Sequence, residues 1–253
     1  MIEIINLCKS FGDKIVLNNL NLKINTGETV VVIGRSGCGK SVLLKLIIGL
    51  LKPDAGEIII DGEDITRVKG KDLDRIRMKC GMLFQNSALF DSLTVRENVG
   101  FFFYEHEYSE KEKIEKRIAE CLNLVGLPGI EELYPSQLSG GMKKRVALAR
   151  AICMHPEIIL YDEPTTGVDP ITADAINNLI VALHDKLKVT AIAVTHDMKS
   201  AFKIGDRIAM LYKGKIIASG TPREIMESSN PIVKQFIQGE SEGVIAVEEE
   251  GGG

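Results

Sequence analysis

The sequence predicts an α/β fold in which a core of buried strands is interrupted by a helical insert. The segment "ETVVVIG" (28–34) is a continuous β-branched run ending in glycine, which suits a strand buried on both faces. Similar apolar runs return late in the chain, in "EIILYDEP" (157–164) and "TAIAVTHD" (190–197). Between these regions, "SEKEKIEKRIAECLNLVGL" (109–127) places apolar residues at helical spacing with charged residues between them.

The remaining elements follow from local patterns in chain order. "MIEIINL" (1–7) and "NLNLKINTG" (19–27) alternate apolar and polar residues, as half-buried strands do. "SVLLKLIIGL" (41–50) is apolar on nearly every side, which predicts a buried helix ended by its glycine. "GEIIIDGEDI" (56–65) carries an Asp-Gly pair between apolar runs, which is a hairpin signal. "RIAMLYKGKIIASG" (207–220) adds a further buried-strand pattern.

These elements predict a single domain over residues 1–239. Its core is formed by residues 1–84 and 156–239, and the helical insert covers about 85–155. After Gly239, the segment "ESEGVIAVEEEGGG" (240–253) is short, acidic and ends in glycines, so we expect a mobile tail.

Composition restricts the class of partner and the compartment. The net charge of −4 argues against a nucleic-acid partner, which usually requires a basic face. The five cysteines have no close spacing, which suits a reducing compartment rather than a disulfide framework or a zinc site. No apolar run approaches the roughly 20 residues that span a bilayer, and the N-terminus has no signal-peptide pattern. We therefore expect a cytoplasmic protein that needs another component to hold it at a membrane.

The segment "GRSGCGKS" (34–41) predicts a phosphate-binding loop. It fits the pattern G-x-x-x-x-G-K-[ST] and lies between a predicted buried strand and a predicted helix. Its glycines let the backbone curl so that N–H groups point at phosphate oxygens. We expect Lys40 to reach the β- and γ-phosphates and Ser41 to offer its hydroxyl to Mg²⁺. The predicted phosphate-binding residues are Gly34, Arg35, Ser36, Gly37, Cys38, Gly39, Lys40, Ser41 and Val42.

Two of these positions carry unusual side chains. Val42 stands where a second hydroxyl often follows the loop, so one side-chain contact to the phosphates is expected to be missing. Cys38 occupies a position where only the backbone needs to act, and a redox role for its thiol is the lesser alternative.

An acidic pair marks the end of a predicted strand. Pro164 cannot continue a ladder, so Asp162 and Glu163 are expected at the strand's carboxyl end, where open α/β sheets bind ligands. Adjacent residues on a strand face opposite ways, so the two acids can have different tasks. Asp162 suits the Mg²⁺ shell, and Glu163 suits activation of an attacking water. An acidic pair in a solvated turn is the structural alternative.

Two further polar residues are expected at the same sheet edge. His196 follows the apolar strand "AIAV" (191–194) and Thr195, and we expect it to contact the γ-phosphate. Gln85 closes the strand pattern "GMLFQ" (81–85) where the helical insert begins, so it can touch Mg²⁺ or water and sense movement of the insert.

The segment "LSGGMKKRV" (138–146) predicts a second glycine-opened helix start. Such a start offers bare backbone N–H groups and the positive end of the helix dipole, which favours a phosphate group. A chain with one phosphate-binding loop does not need a second one for the same phosphates, so the second site requires a separate explanation.

Together these motifs resemble the ATP-binding subunits of ABC transporters over roughly residues 1–239. The Lys40 loop, Gln85, "LSGGM", "IILYDEP", "TTGVDP" and His196 occur in the order and at the spacing of that family. The resemblance implies a P-loop NTPase (RecA-like) core with an antiparallel β-subdomain and an inserted helical subdomain carrying the LSGG signature. It also implies an ATPase that uses ATP and Mg²⁺ to power transmembrane transport. Family members that act on nucleic acid or ribosomes usually carry two cassettes, whereas one is visible here.

The resemblance explains the second helix start. ATPases of this family work as head-to-tail pairs, which implies a homodimer in which the Ser139, Gly140 and Gly141 backbone of one chain closes over the γ-phosphate bound at Lys40 of the other. Asp169, in the turn "GVDP", matches a family residue near this interface. Phe11 matches the aromatic residue that stacks on adenine. Met142 stands where many members have glutamine, which changes a fine contact across the dimer.

A closer resemblance points to the cargo. "MLFQNSALF", "LSGGM", "ALARAI", "DEPTTGVDPIT" and "VKQFIQG" together look like the ATPase of bacterial MCE-type lipid transporters, the Mla branch. This implies transport of phospholipids or related lipids between the inner and outer membranes, with an inner-membrane permease, an MCE-domain protein and, in some systems, a small STAS-domain protein. The chain would then lie at the cytoplasmic face of the inner membrane, held by the permease. An ATPase of another importer or exporter is the alternative.

An aromatic run in the insert has two interpretations. "VGFFFYEHEY" (99–108) places four consecutive aromatic residues at Phe101–Tyr104. They either fill the core of the helical subdomain or help to form the groove that receives a cytoplasmic helix of the permease.

Overall fold

A computed structural model describes residues 1–106 and 108–245 of the 253-residue chain. Within these residues the chain forms two β-sheets and a set of α-helices. The strands are β1 (Ile2–Phe11), β2 (Lys14–Ile24), β3 (Thr29–Ile33), β4 (Ala55–Ile60), β5 (Glu63–Asp64), β6 (Cys80–Leu83), β7 (Ile158–Asp162), β8 (Thr190–Thr195), β9 (Arg207–Tyr212) and β10 (Lys215–Gly220). The helices are α1 (Lys40–Ile47), α2 (Lys71–Met78), α3 (Val95–Glu105), α4 (Lys111–Leu124), α5 (Gly140–Ile152), α6 (Pro170–Leu187), α7 (Met198–Ile204), α8 (Pro222–Met226) and α9 (Pro231–Gln238).

The larger sheet has the strand order β10-β9-β3-β8-β7-β6. Its inner pairs are parallel, and β10 returns antiparallel to β9 at one edge. Every residue of β3, β7 and β8 is buried, as expected for strands covered by helices on both faces. The register places Ile33 beside Thr195, and Asp162 beside Val194. The carboxyl ends of β3, β7 and β8 therefore meet at one edge, which positions the loops that follow them.

The smaller sheet is antiparallel, with the order β2-β1-β4-β5. Its apolar face shares one cluster of buried side chains with β3 and α1, including Leu20, Val32 and Leu44. The hairpin predicted between β4 and β5 is confirmed, because Ile60 pairs with Glu63. Asp61 and Gly62 both have positive φ, at 50° and 87°, as a two-residue turn of this type requires.

Helices α3, α4 and α5 follow β6 and precede β7 in the sequence. Their buried residues pack together in one apolar cluster. The apolar residues expected at helical spacing in α4, such as Ile114 and Ile118, are buried in this cluster. Thr94 caps α3 by accepting a hydrogen bond from Glu97 N, and the Glu97 carboxylate accepts one from Thr94 N. The fold is a P-loop-type α/β core with an antiparallel β-subdomain and an inserted helical subdomain.

The aromatic run of α3 is neither fully buried nor fully exposed. Phe101, Phe102 and Phe103 are half-buried, and Tyr104 is exposed. Phe101 stacks on Phe90 with ring centroids 4.6 Å apart. Within residues 1–106 and 108–245, no helix has both the length and the apolar character needed to cross a membrane.

The beginning of the C-terminal segment packs against the domain. Ile245 is buried, and its backbone N–H donates to Gln235 Oε1 at 2.7 Å. Gln235 Nε2 donates in return to Ile245 O at 3.1 Å. The start of the tail thus contacts the domain through Ile245, and the mobility expected of residues 240–253 stays a prediction. The rest of that tail, 246–253, lies outside the described residues.

Candidate active site

The loop 34–41 leaves β3 and enters α1 through glycines. Gly39 has φ of +108° and caps α1 without any side-chain capping bond, so the first backbone N–H groups of α1 are not covered by a side chain. A Cβ atom on Gly39 would lie 2.7 Å from Val16 Cγ1, so a larger residue does not fit. Gly37 also has a positive φ, of 74°, which favours glycine.

The loop borders a cleft of about 420 Å³. The cleft brings together most of the site residues expected from sequence, although they come from distant parts of the chain. Phe11 lies at one side, 48% exposed. The cleft is lined by Phe11, Lys14, Val16, Ser36, Gly37, Gly39, Lys40, Ser41, Val42, Gln85, Glu163 and His196.

Lys40 is held at the base of this cleft. Only 5% of the residue is exposed. Its Nζ donates hydrogen bonds to Gly34 O at 2.8 Å and to Arg35 O at 3.0 Å. It also lies 3.4 Å from Glu163 Oε1. The Lys40 ammonium therefore lies between the loop backbone and the Glu163 carboxylate. From there it can contact a phosphate group bound at the loop.

Glu163 has an unfavourable backbone conformation, and hydrogen bonds hold its carboxylate. Its φ is +48°, a conformation that side-chain-bearing residues rarely adopt and that is common at functional sites. Thr195 Oγ1 and Thr166 Oγ1 each donate to Glu163 Oε2 at 3.2 Å. The residue is 6% exposed, so these bonds rather than water orient the carboxylate.

His196 stands over the same carboxylate. Its Nδ1 lies 3.0 Å from Glu163 Oε1, and because a carboxylate only accepts, the ring donates there. The side chain is 49% exposed, which leaves the rest of the ring facing the cleft. The sequence placed His196 at this edge, but it gave no indication of the bond to Glu163.

Ser41 and Asp162 form an oxygen pair beside Lys40. Ser41 Oγ donates to Asp162 Oδ1 at 2.7 Å. Burial raises the pKa of the Asp162 carboxyl, the hydrogen bond from Ser41 opposes that rise, and the nearby charge of Glu163 reinforces it. A buried carboxylate next to a hydroxyl is a donor set of the kind that Mg²⁺ accepts together with phosphate oxygens. Within residues 1–106 and 108–245, no group of three or more His, Cys, Asp or Glu side chains is placed to hold a metal alone.

The other loop positions serve the backbone or the core. Val42 packs partly against the apolar cluster beneath α1 and also lines the cleft, where its side chain offers no hydroxyl. Cys38 is half-buried, and burial raises the pKa of its thiol, which keeps it protonated and disfavours the redox alternative.

Gln85 is exposed in the turn after β6 and borders the cleft. Its backbone carbonyl accepts a hydrogen bond from Lys144 Nζ on α5. Lys144 is 4% exposed and also donates to Glu163 O at 3.3 Å. Sequence reasoning missed this lysine, because "MKKRV" looks like a charged, solvated helix face.

The residues of the second helix start lie outside the cleft. Ser139 caps α5, and its Oγ accepts a hydrogen bond from Met142 N at 3.3 Å. Gly140 is exposed, and its nearest neighbour is Val168 Cγ1, 3.9 Å from the position of a Cβ atom. Asp169 caps α6 by accepting from Thr172 N at 3.0 Å. This group forms a surface that does not line the Lys40 cleft of its own chain.

Comparison with known proteins identifies the family. The sequence profile described as "ABC transporter" matches residues 17–166. The chain belongs to the ABC transporter family. The matched range contains the Lys40 loop, Gln85, Ser139 and the acidic pair at Asp162 and Glu163.

Curated relatives of the chain serve different cargoes. The intermembrane phospholipid transport system ATP-binding protein MlaF of Haemophilus influenzae is 42% identical over 97% of this chain and 93% of its own length. The chloroplastic protein trigalactosyldiacylglycerol 3 of Arabidopsis thaliana is 43% identical over 97% of this chain and 75% of its own length. The methionine import ATP-binding protein MetN of Geobacillus kaustophilus is 42% identical over 90% of this chain and 66% of its own length.

Solved structures agree with the fold. An ATP-binding cassette solved as a dimer in a post-hydrolysis state, bound to ADP and Pi, is 37% identical with a TM-score of 0.80, over 88% of this chain and 99% of that one. The cassette cbiO1 of Clostridium perfringens, from the transporter complex cbiONQ, is 31% identical with a TM-score of 0.81, over 92% and 93% of the two chains. The chain is therefore an ATP-binding subunit of an ABC transporter, similar to MlaF, and it hydrolyses ATP to drive transport.

Proposed function

We propose that this ATPase powers the transport of phospholipids or related lipids between bacterial inner and outer membranes, as in transporters of the MCE/Mla type. The observation that carries the proposal is the likeness to MlaF, a phospholipid-transport protein, over 93% of that relative's length. The relative named after trigalactosyldiacylglycerol, a glycolipid, supports the same class of cargo. The segments "LSGGM" and "DEPTTGVDPIT" resemble the same branch.

A second candidate is an ATPase that serves another solute. The methionine import protein is as similar in identity as MlaF, and a probable ribonucleotide transport protein of Mycobacterium leprae is 40% identical over 98% of this chain. The first candidate is favoured because the match to MlaF covers 93% of that relative and the match to the methionine protein covers 66%.

We propose a task in ATP hydrolysis for each of the main residues of the cleft. Backbone N–H groups of 34–41 bind the phosphates, and Lys40 exchanges its carbonyl partners for phosphate oxygens. Phe11 is exposed beside the cleft and offers a π face to adenine. Glu163 is the general base that takes a proton from the attacking water. Hydrogen bonds from Thr195, Thr166 and His196 fix the orientation of its carboxylate. The part of the His196 ring that does not bond Glu163 is exposed and would contact the γ-phosphate.

Ser41 and Asp162, with Gln85 at the mouth of the cleft, would hold Mg²⁺. When bound, Mg²⁺ would neutralise charge on the β- and γ-phosphate oxygens. The chain's own contribution is to keep the Ser41 hydroxyl and the Asp162 carboxylate side by side, so that both oxygens face the nucleotide.

The second helix start completes the site of a partner chain. Ser139, Gly140 and Asp169 are exposed and lie outside their own cleft, whereas Gly141 is buried beside them. This placement supports a homodimer in which each chain closes over the other's ATP. The related cassette that was solved as a dimer supports the same arrangement. Two-fold pairing builds both sites at once.

The aromatic surface of Phe90, Phe101 and Tyr104 is proposed as part of the groove for a permease helix. Phe90 and Tyr104 are exposed and Phe101 is half-buried, and such aromatic residues at a subdomain surface suit an interface better than a closed core. The partners proposed with it are an inner-membrane permease, an MCE-domain protein and a STAS-domain protein. The ATPase would then lie at the cytoplasmic face of the inner membrane through the permease.

Mild detergent extraction of the tagged native complex, followed by mass spectrometry of proteins and lipids, tests the cargo. A permease recovered with an MCE-domain protein and bound phospholipid is the expected result. A permease recovered with a soluble solute-binding protein, and without an MCE-domain protein, would contradict the lipid assignment and support the second candidate.

A further inference from the structure

Lys144 is a buried cation to which the hydrolysis steps above give no task. It lies in α5, three positions after Gly141, and is 4% exposed. Burial lowers the pKa of its ammonium, although the charges of Asp162 and Glu163 oppose this. Lysine is almost never buried without partners, because removing its charge from water is costly. Its partners therefore indicate what it does.

The two acceptors of Lys144 Nζ come from different parts of the site. One is Gln85 O, in the turn where the helical insert begins. The other is Glu163 O, at 3.3 Å, directly after the carboxyl end of β7. A single ammonium group thus joins the signature helix α5, the Gln85 turn and the turn that carries the general base.

The backbone of Glu163 depends on such support. Its left-handed φ of +48° is unfavourable for a side-chain-bearing residue and persists only where the surroundings enforce it. On one side, Glu163 N donates to Val194 O at 2.9 Å. On the other side, Glu163 O accepts from Thr166 N at 3.2 Å within its own turn and from Lys144 Nζ at 3.3 Å. Of these contacts, the bond from Lys144 links the Glu163 backbone to α5.

Arg150 offers a comparison for Lys144, because it is a second cation of α5 that binds the segment after Gln85. Its Nη2 donates to Ser87 O and its Nη1 to Ala88 O, both at 2.7 Å. Arg150 thus ties the segment after Gln85 to α5, as Lys144 ties Gln85 itself. Within residues 1–106 and 108–245, the hydrogen bonds of Arg150 go to Ser87 and Ala88 and not to Glu163, so the two cations share one task and differ in the other.

We propose that Lys144 is a positioning residue that transmits displacement of α5 to the backbone of Glu163. When the Ser139–Gly141 start of α5 engages a partner's nucleotide, α5 shifts, and the Lys144 ammonium carries the shift to the turn that aims the base. No group is transferred to or from Lys144, which acts through its charge and hydrogen bonds. This inference rests on the proposed role of Glu163 as the base.

Steady-state ATPase kinetics of the full-length chain test this inference. Lys144→Met is expected to lower kcat about tenfold or more with KM changed less than about threefold, because the base is misaligned while ATP binding is untouched. Lys144→Gln is expected to lower kcat about threefold to fivefold, because an amide still donates to carbonyls but lacks the charge. Lys143→Met removes the same charge one position away and is expected to stay within about twofold of the parent. Arg150→Met is expected to lower the melting temperature without the tenfold loss in kcat.

Several outcomes would overturn the inference. A Lys144→Met variant with parental kcat would do so, and so would equal losses of kcat in Lys144→Met and Arg150→Met, since loop anchoring would then explain both. If Lys144→Met does not fold, Lys144→Gln decides: parental kcat overturns the inference, and a lowered kcat at unchanged KM supports it. Glu163→Gln is measured in parallel. Rapid turnover by that variant would reject the base itself, whereas its inactivity beside a fully active Lys144→Met would reject only the role of Lys144.

Discussion

Helices α1 and α5 both begin at glycines, but the two helix starts meet different constraints. At α1, a Cβ atom on Gly39 would lie 2.7 Å from Val16 Cγ1 of the same chain. At α5, the buried Gly141 is also confined, because its Cβ atom would lie 2.6 Å from Thr172 Cγ2. A Cβ atom on the exposed Gly140 would instead find its nearest neighbour 3.9 Å away, which is an ordinary contact. Glycine at 39 is thus required by the chain's own fold. Glycine at 140 is not, so a requirement for it must come from outside the chain.

The surroundings of the two starts differ in the same way. The start of α1 lies beside Lys40, Asp162 and Glu163, all of them buried. The start of α5 presents Ser139 and Gly140 on the surface. One start belongs to a cleft lined by Lys40, Ser41 and Glu163, and the other is exposed and lies outside that cleft. We therefore propose that the cleft supplies the chemistry and that the α5 start closes over the nucleotide of another chain.

Glu163→Gln is expected to have the largest effect and to separate chemistry from closure. Turnover is expected to fall by about 10² to 10⁴, the range for loss of a general base, while ATP binding persists. Because hydrolysis no longer reopens the pair, ATP is expected to trap a dimer. Single-turnover assays and size-exclusion chromatography with ATP check both parts. Rapid hydrolysis by this variant would remove Glu163 from the role of base.

Gly140→Asp is expected to reduce turnover strongly without reducing the stability of the chain itself. An acidic residue in the first turn favours the α5 dipole, so the free energy of unfolding is expected to be unchanged or higher by about 0.3–1 kcal/mol. The same carboxylate would repel the γ-phosphate of a partner's ATP, and hydrolysis is expected to fall about a hundredfold. Chemical denaturation and ATPase assays measure the two effects. Undiminished turnover would mean that the α5 start does not face a nucleotide.

Gly39→Ala and Gly140→Ala form a matched pair. The first places a methyl group against Val16 at a φ of +108°, so ATP affinity is expected to fall at least about tenfold. The second fits its own chain, so ATP affinity of the monomer is expected to be unchanged. Titration with a fluorescent ATP analogue compares them. Equal losses of affinity in the two variants would contradict the separation of the two helix starts.

Glu28→Gln is the smallest change and touches neither helix start. Arg207 Nε donates to Glu28 Oε1 at 2.6 Å, and Asn25 N donates to Oε2 at 2.8 Å. Burial raises the pKa of Glu28, but the bonds from Arg207 and Asn25 outweigh it, so the pKa is lowered overall. The stabilisation is therefore present above the ordinary pKa of the carboxyl and is lost as pH falls through the lowered one.

At neutral pH, Glu28→Gln is expected to reduce the free energy of unfolding by about 1 kcal/mol, with screening by solvent already allowed for. The difference from the parent is expected to shrink in acid, and ATP turnover at pH 7 is expected to be unchanged. Urea denaturation across pH checks the first point. A difference that grows as pH falls would contradict the assigned ion pair.

Motifs with a local physical reason could be predicted from the sequence, and those that depend on packing could not. Loop 34–41 and the Asp61-Gly62 turn follow from glycine chemistry, which needs no knowledge of the rest of the chain. Lys144 was missed because its burial depends on which face of α5 packs against β6. The bond from His196 to Glu163 was missed because it depends on strand register.

The C-terminal segment makes a contact that its composition does not predict. Its acidic, glycine-rich composition indicates a mobile tail, yet Ile245 is buried and paired with the Gln235 amide. The Gln235 side-chain amide bonds the backbone N–H and C=O of Ile245, and a single contact of this kind produces no periodic pattern of residues in the sequence. Composition averages over such single contacts and cannot reveal them.

Mixing two inactive variants tests the central claim that each site is shared between two chains. Lys40→Ala disables the cleft of one chain and leaves its α5 start intact, whereas Gly140→Asp does the reverse. A mixed pair contains one site built from the intact halves, so an equal mixture is expected to recover up to about a quarter of the parent rate by random two-fold pairing. A mixture no more active than the two variants measured separately would contradict the claim that the α5 start completes the partner's site.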